Sequence, residues 1–193
     1  MALAVQLKPY SGEAWIQKVL QNFDHFLIDH AACERKASAT GVSFVVRYPD
    51  REKIMDPMIR LAREELLHFH QVCRLLRKRN LKLLPDEKDP YINGLLKQIR
   101  NGRDEEFLDR LLVFGIVEAR GTERFRVVAE NHPDKELADF YMKLTEAEAR
   151  HHELFVDLAL EYFDEESVMK RLRELEELEF EVIQEIPIRA AVH

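Results

Sequence analysis

Two cysteines in 193 residues, Cys33 and Cys73, form no CxxC pair or other close spacing. That argues against a zinc or iron–sulfur centre held by thiolates, and it suits small core residues in a reducing compartment. Glycine and proline are also scarce, at 6 and 7 residues. With so few breakers and abundant Glu, Leu, Arg and Ala, the chain is expected to be all-α. No apolar run approaches the length of a membrane span, so no membrane partner is expected. "MALAVQLKPY" has neither a basic leader nor a long apolar run, so no signal peptide is expected and the cytoplasm is the expected address. Nor is there an excess of positive charge. The net charge of −7 gives no global footprint for nucleic acid. The acid is concentrated in residues 164–185, nine acidic against three basic.

The scarce breakers divide the chain. A short helix is expected from Ser11 to about Gln21, then a long one from Phe23 to Arg47, stopped by Pro49. Asp50 is the expected N-cap of a second long helix ending near Arg79. After the two-proline loop "LKLLPDEKDPY", a short helix is expected over Ile92–Arg100. Asp104 should cap a third long helix ending near His132, and Asp134 a fourth ending near Phe163. An acidic helix at about 166–185 and a tail, "IPIRAAVH", complete the expectation. The whole of 1–193 reads as one domain, with a core bundle at about 23–163. "YPDRE" at 48–52 matches "HPDKE" at 132–136, and at the same offset of 84 Glu34 falls on Glu118. Two helical hairpins of one design, joined by a long crossover, follow from that repeat.

Each long helix carries an apolar stripe at helical spacing, and each stripe is broken near its middle by a carboxylate. The stripes are Phe23-Leu27-His30-Glu34-Ala37-Gly41, Leu61-Glu65-His68-Val72-Leu75, Phe107-Leu111-Phe114-Glu118-Gly121-Phe125 and Leu137-Tyr141-Leu144-Glu148-His151-Phe155. In the second and fourth, a histidine follows three residues later. Glu34 and Glu65 lie 15 and 16 residues from Pro49, and Glu118 and Glu148 each lie 15 from Pro133. Equal distance from the turn means equal height in an antiparallel hairpin, so six ligand-type side chains are expected at one level.

Four carboxylates together would repel and would cost several kcal/mol each in desolvation unless balanced. No Lys or Arg stands on any stripe. Two divalent metals would neutralise four Glu and two neutral His, and oxygen with imidazole suits Fe or Mn. One Glu from each of two helices plus Glu-x-x-His from the other two is the pattern of ferritin-like dinuclear carboxylate bundles. The expected fold is therefore all-α, a ferritin-like four-helix bundle of two antiparallel hairpins with a long crossover and short terminal helices.

Secondary features surround these six. Ala37 and Gly121 are small where the other helices have His, which leaves either room for O2 or substrate, or close helix packing. Thr122 offers a hydroxyl for proton delivery, and His30 suits a hydrogen-bonded histidine behind the ligands. His70 and His152 fall off the stripes and are expected at the surface. "RLLRKRNLK" carries Arg74, Arg77, Lys78, Arg79 and Lys82 without an acid, and residues 60–82 sum to +5. This patch is either a solvated helix end or a contact for phosphates.

The helix bearing Glu34, "EELLHFH", "VEARGTERF" and "EAEARHHELF", together with the chain length and basic run, resemble the bacterial tRNA hydroxylase family (MiaE) from about Trp15 to Tyr162. The resemblance implies hydroxylation of the isopentenyl group of 2-methylthio-N6-isopentenyladenosine beside the tRNA anticodon, using O2 and two electrons. It implies two iron ions on Glu34, Glu65, His68, Glu118, Glu148 and His151, with Glu65 and Glu148 bridging. It also implies the tRNA anticodon loop and an external donor of ferredoxin or flavodoxin type as partners; the oligomeric state is left open. The alternative on the same metals is a ferroxidase or peroxide-consuming enzyme without an RNA substrate.

Overall fold

The computed structural model describes residues 4–193. Those residues form seven α-helices and no strand: α1 (Glu13–Gln21), α2 (Phe23–Arg47), α3 (Met55–Lys78), α4 (Pro90–Leu96), α5 (Arg103–Asn131), α6 (Lys135–Leu160) and α7 (Glu165–Glu185). The chain divides into two compact units, one of Gln17–Glu87 with Arg189–Val192, the other of the chain up to Ile16 with Lys88–Ile188 and His193.

The first unit is built on the α2–α3 hairpin. Phe26, Leu27, Ala31 and Phe44 of α2 and Met58, Leu61, Val72 and Leu76 of α3 are buried at helical spacing. The two backbones meet at Gly41, where a Cβ would come 3.0 Å from both the Ala62 Cβ and the Met58 carbonyl oxygen. The Ser38 hydroxyl donates to the Ala62 carbonyl at 2.7 Å, fixing the same crossing. Asp50 does not cap α3. A 3-10 turn at Glu52–Ile54 intervenes with Ile54 fully buried, and α3 begins one turn later than the Pro49 stop implied. Pro57 falls in the first turn, where its missing N–H leaves no helical bond unmade.

The expected C-terminal tail is not a loose one. Ala190, Ala191 and Val192 are buried, the Val192 N–H donates to the Asp29 carboxylate at 2.7 Å, and the His25 ring nitrogen lies 3.3 Å from the Ala190 carbonyl. Bound backbone groups, which sequence periodicity does not report, hold this segment.

The second unit carries the α5–α6 hairpin with α4 and α7. α5 starts after Gly102, whose φ of 111° favours glycine, so Asp104 sits inside the first turn with Glu105 and Glu106 instead of capping it. Three acids there still favour the helix through its dipole. α6 is capped as expected: the Asp134 carboxylate accepts from the backbone N–H of Glu136 at 2.8 Å and of Leu137 at 3.4 Å. The short fourth helix lies earlier than expected because Asp89 caps it, with Pro90 at its first position.

α7 is held to α5 by apolar packing and by buried charge. Val168, Leu172, Leu175 and Ile183 are fully buried. Glu179, also fully buried, accepts from Arg120 Nε and Nη2, each at 2.9 Å, and from the Tyr91 hydroxyl at 2.9 Å. About two turns earlier on α7, Arg171 grips Asp109 with Nε and Nη2, both at 2.9 Å, while Arg100 binds the same carboxylate from the preceding loop. Burial pushes the Asp109 carboxyl up, but the bonds from Arg171 and Arg100 outweigh it and hold it below the ordinary range. Burial and the Glu179 charge push the Tyr91 phenol well above its usual value, so it stays a donor.

The segment before α1 joins this network. Tyr10 and Ser11 donate their backbone N–H to Glu123, each at 3.1 Å, and the Lys8 carbonyl accepts from Arg120 at 3.1 Å. Arg124 donates to the Ser11 hydroxyl and lies 5.0 Å over the Trp15 ring, and burial brings its pKa down to about 10, leaving it charged at neutral pH.

Removing one member of a buried ion pair strands the other. Glu179→Ala is expected to cost about 3–5 kcal/mol in urea unfolding. Removing the polar groups together, as Tyr91→Phe, Arg120→Met and Glu179→Leu, should recover at least half of that loss.

Candidate metal centre

On α2 and α3, Glu34, Glu65 and His68 each offer a ligand atom, and these lie within 4.8 Å of one another. All three are buried. Glu65 and His68 are one turn apart on α3, so both face α2, and His68 Nδ1 lies 3.6 Å from Glu65 and 3.7 Å from Glu34. His30, fully buried one turn before Glu34, places Nε2 2.6 Å from Glu34 Oε1 and fixes one side of that carboxylate.

The α5–α6 hairpin repeats the arrangement. Glu118, Glu148 and His151 offer atoms within 4.8 Å of one another, Glu148 and His151 buried and Glu118 half-buried. His151 Nδ1 lies 2.7 Å from Glu148 Oε2. Gly115 lets the helices approach one turn below, where a Cβ would come 3.2 Å from the Phe155 Cβ. A Cβ on Gly121, by contrast, would meet nothing within 4 Å, so the reading as open space fits that position better than close packing.

Each hairpin thus carries two carboxylates and one imidazole at ligand spacing. As ions they repel and lose solvation; a divalent cation turns the same geometry favourable, and hard oxygen with imidazole fits iron or manganese. The buried arginines of α5 do not serve here, since Arg120 and Arg124 are roughly opposite Glu118 on the helix and are bonded to Glu179, Glu123 and Ser11.

The remaining expected residues are distributed as follows. The Thr122 hydroxyl donates to the Glu118 carbonyl at 2.8 Å, so proton delivery from it would require that bond to break. His70 is exposed as expected, but His152 is half-buried, and burial lowers its pKa. Arg74, Arg77, Lys78, Arg79 and Lys82 are all exposed. Arg79 is also committed locally, to Asp24 at 2.6 Å and over the Phe23 ring at 5.7 Å. Sequence reasoning missed the buried ions Asp109, Arg120, Arg171 and Glu179, because their partners come from elements distant in sequence.

A solved structure from Synechococcus, described as protein 43 with aldehyde deformylating oxygenase activity, is similar over 97% of this chain and 94% of that one, with a TM-score of 0.92 and 34% identity. The helical hairpins and this likeness define an all-α protein of the ferritin-like class, with buried Glu and His groups compatible with a metal centre. Residues 3–193 match the family described as tRNA-(MS[2]IO[6]A)-hydroxylase (MiaE), and the chain belongs to that family. A curated relative from Pseudomonas putida, tRNA 2-(methylsulfanyl)-N(6)-isopentenyladenosine(37) hydroxylase, is 36% identical over 95% of this chain and 91% of its own. One of the same name from Salmonella typhimurium is 27% identical over 89% of this chain and 81% of its own.

A site built from crowded carboxylates trades stability for metal. In chelator-treated protein, Glu148→Gln should raise the melting temperature by about 2–4 °C, the effect of roughly 1 kcal/mol of relieved repulsion. Adding Mn2+ should then raise the wild-type melting temperature and raise that of the variant less, as read by scanning calorimetry.

Proposed function

We infer that this protein is a hydroxylase of the isopentenyl group of 2-methylthio-N6-isopentenyladenosine in tRNA, working with O2 on two iron ions. The observation that carries the reading is the same donor set, Glu with Glu-x-x-His, on each of two hairpins in a chain of this family. Glu34, Glu65, His68, Glu118, Glu148 and His151 would hold the iron. When bound, the iron pair would supply the activation of O2 that hydroxylation of an allylic C–H bond requires.

The chain's own residues do the rest. His30 orients Glu34 through its 2.6 Å contact, and the Thr122–Glu118 bond stiffens the turn that carries Glu118. The open space at Gly121 leaves room beside the ligands for the isopentenyl group. The adenine must leave its loop to reach a buried site, as single-stranded RNA bases readily do. Arg74, Arg77, Lys78, Arg79 and Lys82 would bind phosphates of the anticodon arm. The site of action is the cytoplasm, where tRNA is found, and two electrons come from an external carrier. No helix among the described residues is long and apolar enough to cross a membrane.

The deciding experiment mixes chemically reduced, iron-loaded protein with O2 and tRNA bearing the isopentenyl nucleoside, then reads nucleosides by mass spectrometry. One added oxygen is the expected result. Iron oxidation or peroxide consumption that is indifferent to tRNA would favour the ferroxidase or peroxidase alternative, and turnover of an aldehyde alone would favour the activity named for the Synechococcus protein. For the basic patch, Arg77→Ala, Lys78→Ala and Arg79→Ala together should weaken tRNA binding and reduce the slope of log K against log salt by about 2–3. An unchanged slope would remove the patch from the interface.

A further inference from the structure

Glu65 and His68 account for the inward face of α3; the outward face carries a second pattern. At 3.6 residues per turn, Ile59, Arg60, Arg63, Leu66, Leu67 and His70 fall together on the side away from Met58, Leu61, Glu65, His68 and Val72. All six are exposed, and the aliphatic ones strongly so: Ile59 46%, Leu66 55% and Leu67 54%. Glu64 lies to one flank, the exposed Asp56 opens the same arc one turn earlier, and Arg74 and Arg77 continue it toward the end of the helix. The face thus joins three exposed aliphatic side chains to two guanidinium groups, on a chain whose net charge is −7.

This composition selects among partners. Phosphates need charge alone, and a splayed base stacks on a ring or a guanidinium plane, neither of which gives a use to three exposed aliphatic side chains. Exposed aliphatic groups flanked by arginine fit a small, transient protein interface instead, one with an acidic partner. Position selects further, because the patch spans the same turns of α3 that present Glu65 and His68 on the other side. Partner and ligands are separated by one helix, about 10 Å across.

We propose that the outward face of α3 at Ile59, Arg60, Arg63, Leu66, Leu67 and His70 is the docking surface for an acidic electron-carrier protein of the flavin or 2Fe–2S type. The proposal rests on the iron-dependent hydroxylase reading and gives the reductant of that reaction its place. Inserting one oxygen atom into a C–H bond and releasing the other as water consumes two electrons and two protons. Two reduced 2Fe–2S carriers docking in succession, or flavin carriers supplying the same two electrons, leave oxidised, and the protons come from solvent. Arginine steers the carrier to the face, the leucines exclude water beneath it, and α3 carries the electrons inward.

Binding is tested first on metal-free protein, by calorimetric titration with a plant-type 2Fe–2S ferredoxin and with a flavodoxin at low and high salt. At least one carrier should bind the wild type, more weakly as salt rises. Arg60→Glu with Arg63→Glu, and separately Leu66→Ser with Leu67→Ser, should weaken that binding by at least about tenfold, and the leucine pair, which changes no charge, should leave tRNA affinity within about twofold. In iron-loaded protein, reduction by the carrier should slow by a similar factor and reduction by dithionite should not change. These residues are exposed, so unchanged circular dichroism and melting temperature are expected of both variants.

Failure of both carriers to bind the wild type overturns the proposal, as does carrier binding unaffected by either pair of substitutions. A fall in tRNA affinity with carrier binding intact would assign the face to RNA and overturn it equally. Failure of the iron reading registers separately, as wild-type protein that takes up no metal.

Discussion

A glutamate on the inward stripe of a helix is a cost that the rest of the structure must offset. Each hairpin accepts it twice, at Glu34 and Glu65 and again at Glu118 and Glu148, and adds an imidazole within 4.8 Å. The surrounding choices follow from holding those groups in place. Gly41 and Gly115 bring the helices of each pair close, Ser38 ties α2 to the α3 backbone, and His30 fixes one carboxylate. An apolar core alone would be satisfied by leucine at these positions and would need none of this.

The protein buries charge in two different ways. Asp109 and Glu179 are compensated from within the chain, by Arg171 with Arg100 and by Arg120 with Tyr91. Their carboxylates are closed off by forked guanidinium groups, and their role is to seat α7 on α5. Glu148 instead faces His151, and Glu65 faces His68, partners that stay neutral when they ligate a metal. The first kind of site is complete as it stands; the second has the composition of a site that takes up a cation. Buried acids with arginine mark architecture here, and buried acids with histidine are compatible with a metal centre.

The acidic helix shows how the two kinds differ in legibility. Its charge run, nine acids in 22 residues, does not say which of them are paired and buried. Arg120 and Arg124 likewise fall off the α5 stripe. The structure buries Glu179 and Arg120 completely, because each meets the other across 59 residues of sequence. Periodicity marks which residues share a face, but not that a second helix covers the opposite one. Capping failed for a similar reason at Asp50 and Asp104. Asp134 and those two have the same side chain, yet the backbone winds as a 3-10 turn after Asp50 and turns at Gly102 before Asp104.

By itself the sequence determined the all-helical class, the two hairpins, the six ligand-type residues and the family. These are written in local spacing, and helical geometry converts spacing into position without reference to the rest of the chain. Tertiary structure alone decided the partner of each buried ion, the anchoring of residues 190–192, the space beside Gly121 and the exposure of Leu66 and Leu67. Each of those depends on which distant segment lies against a given face, and no repeat of 3.6 residues carries that information.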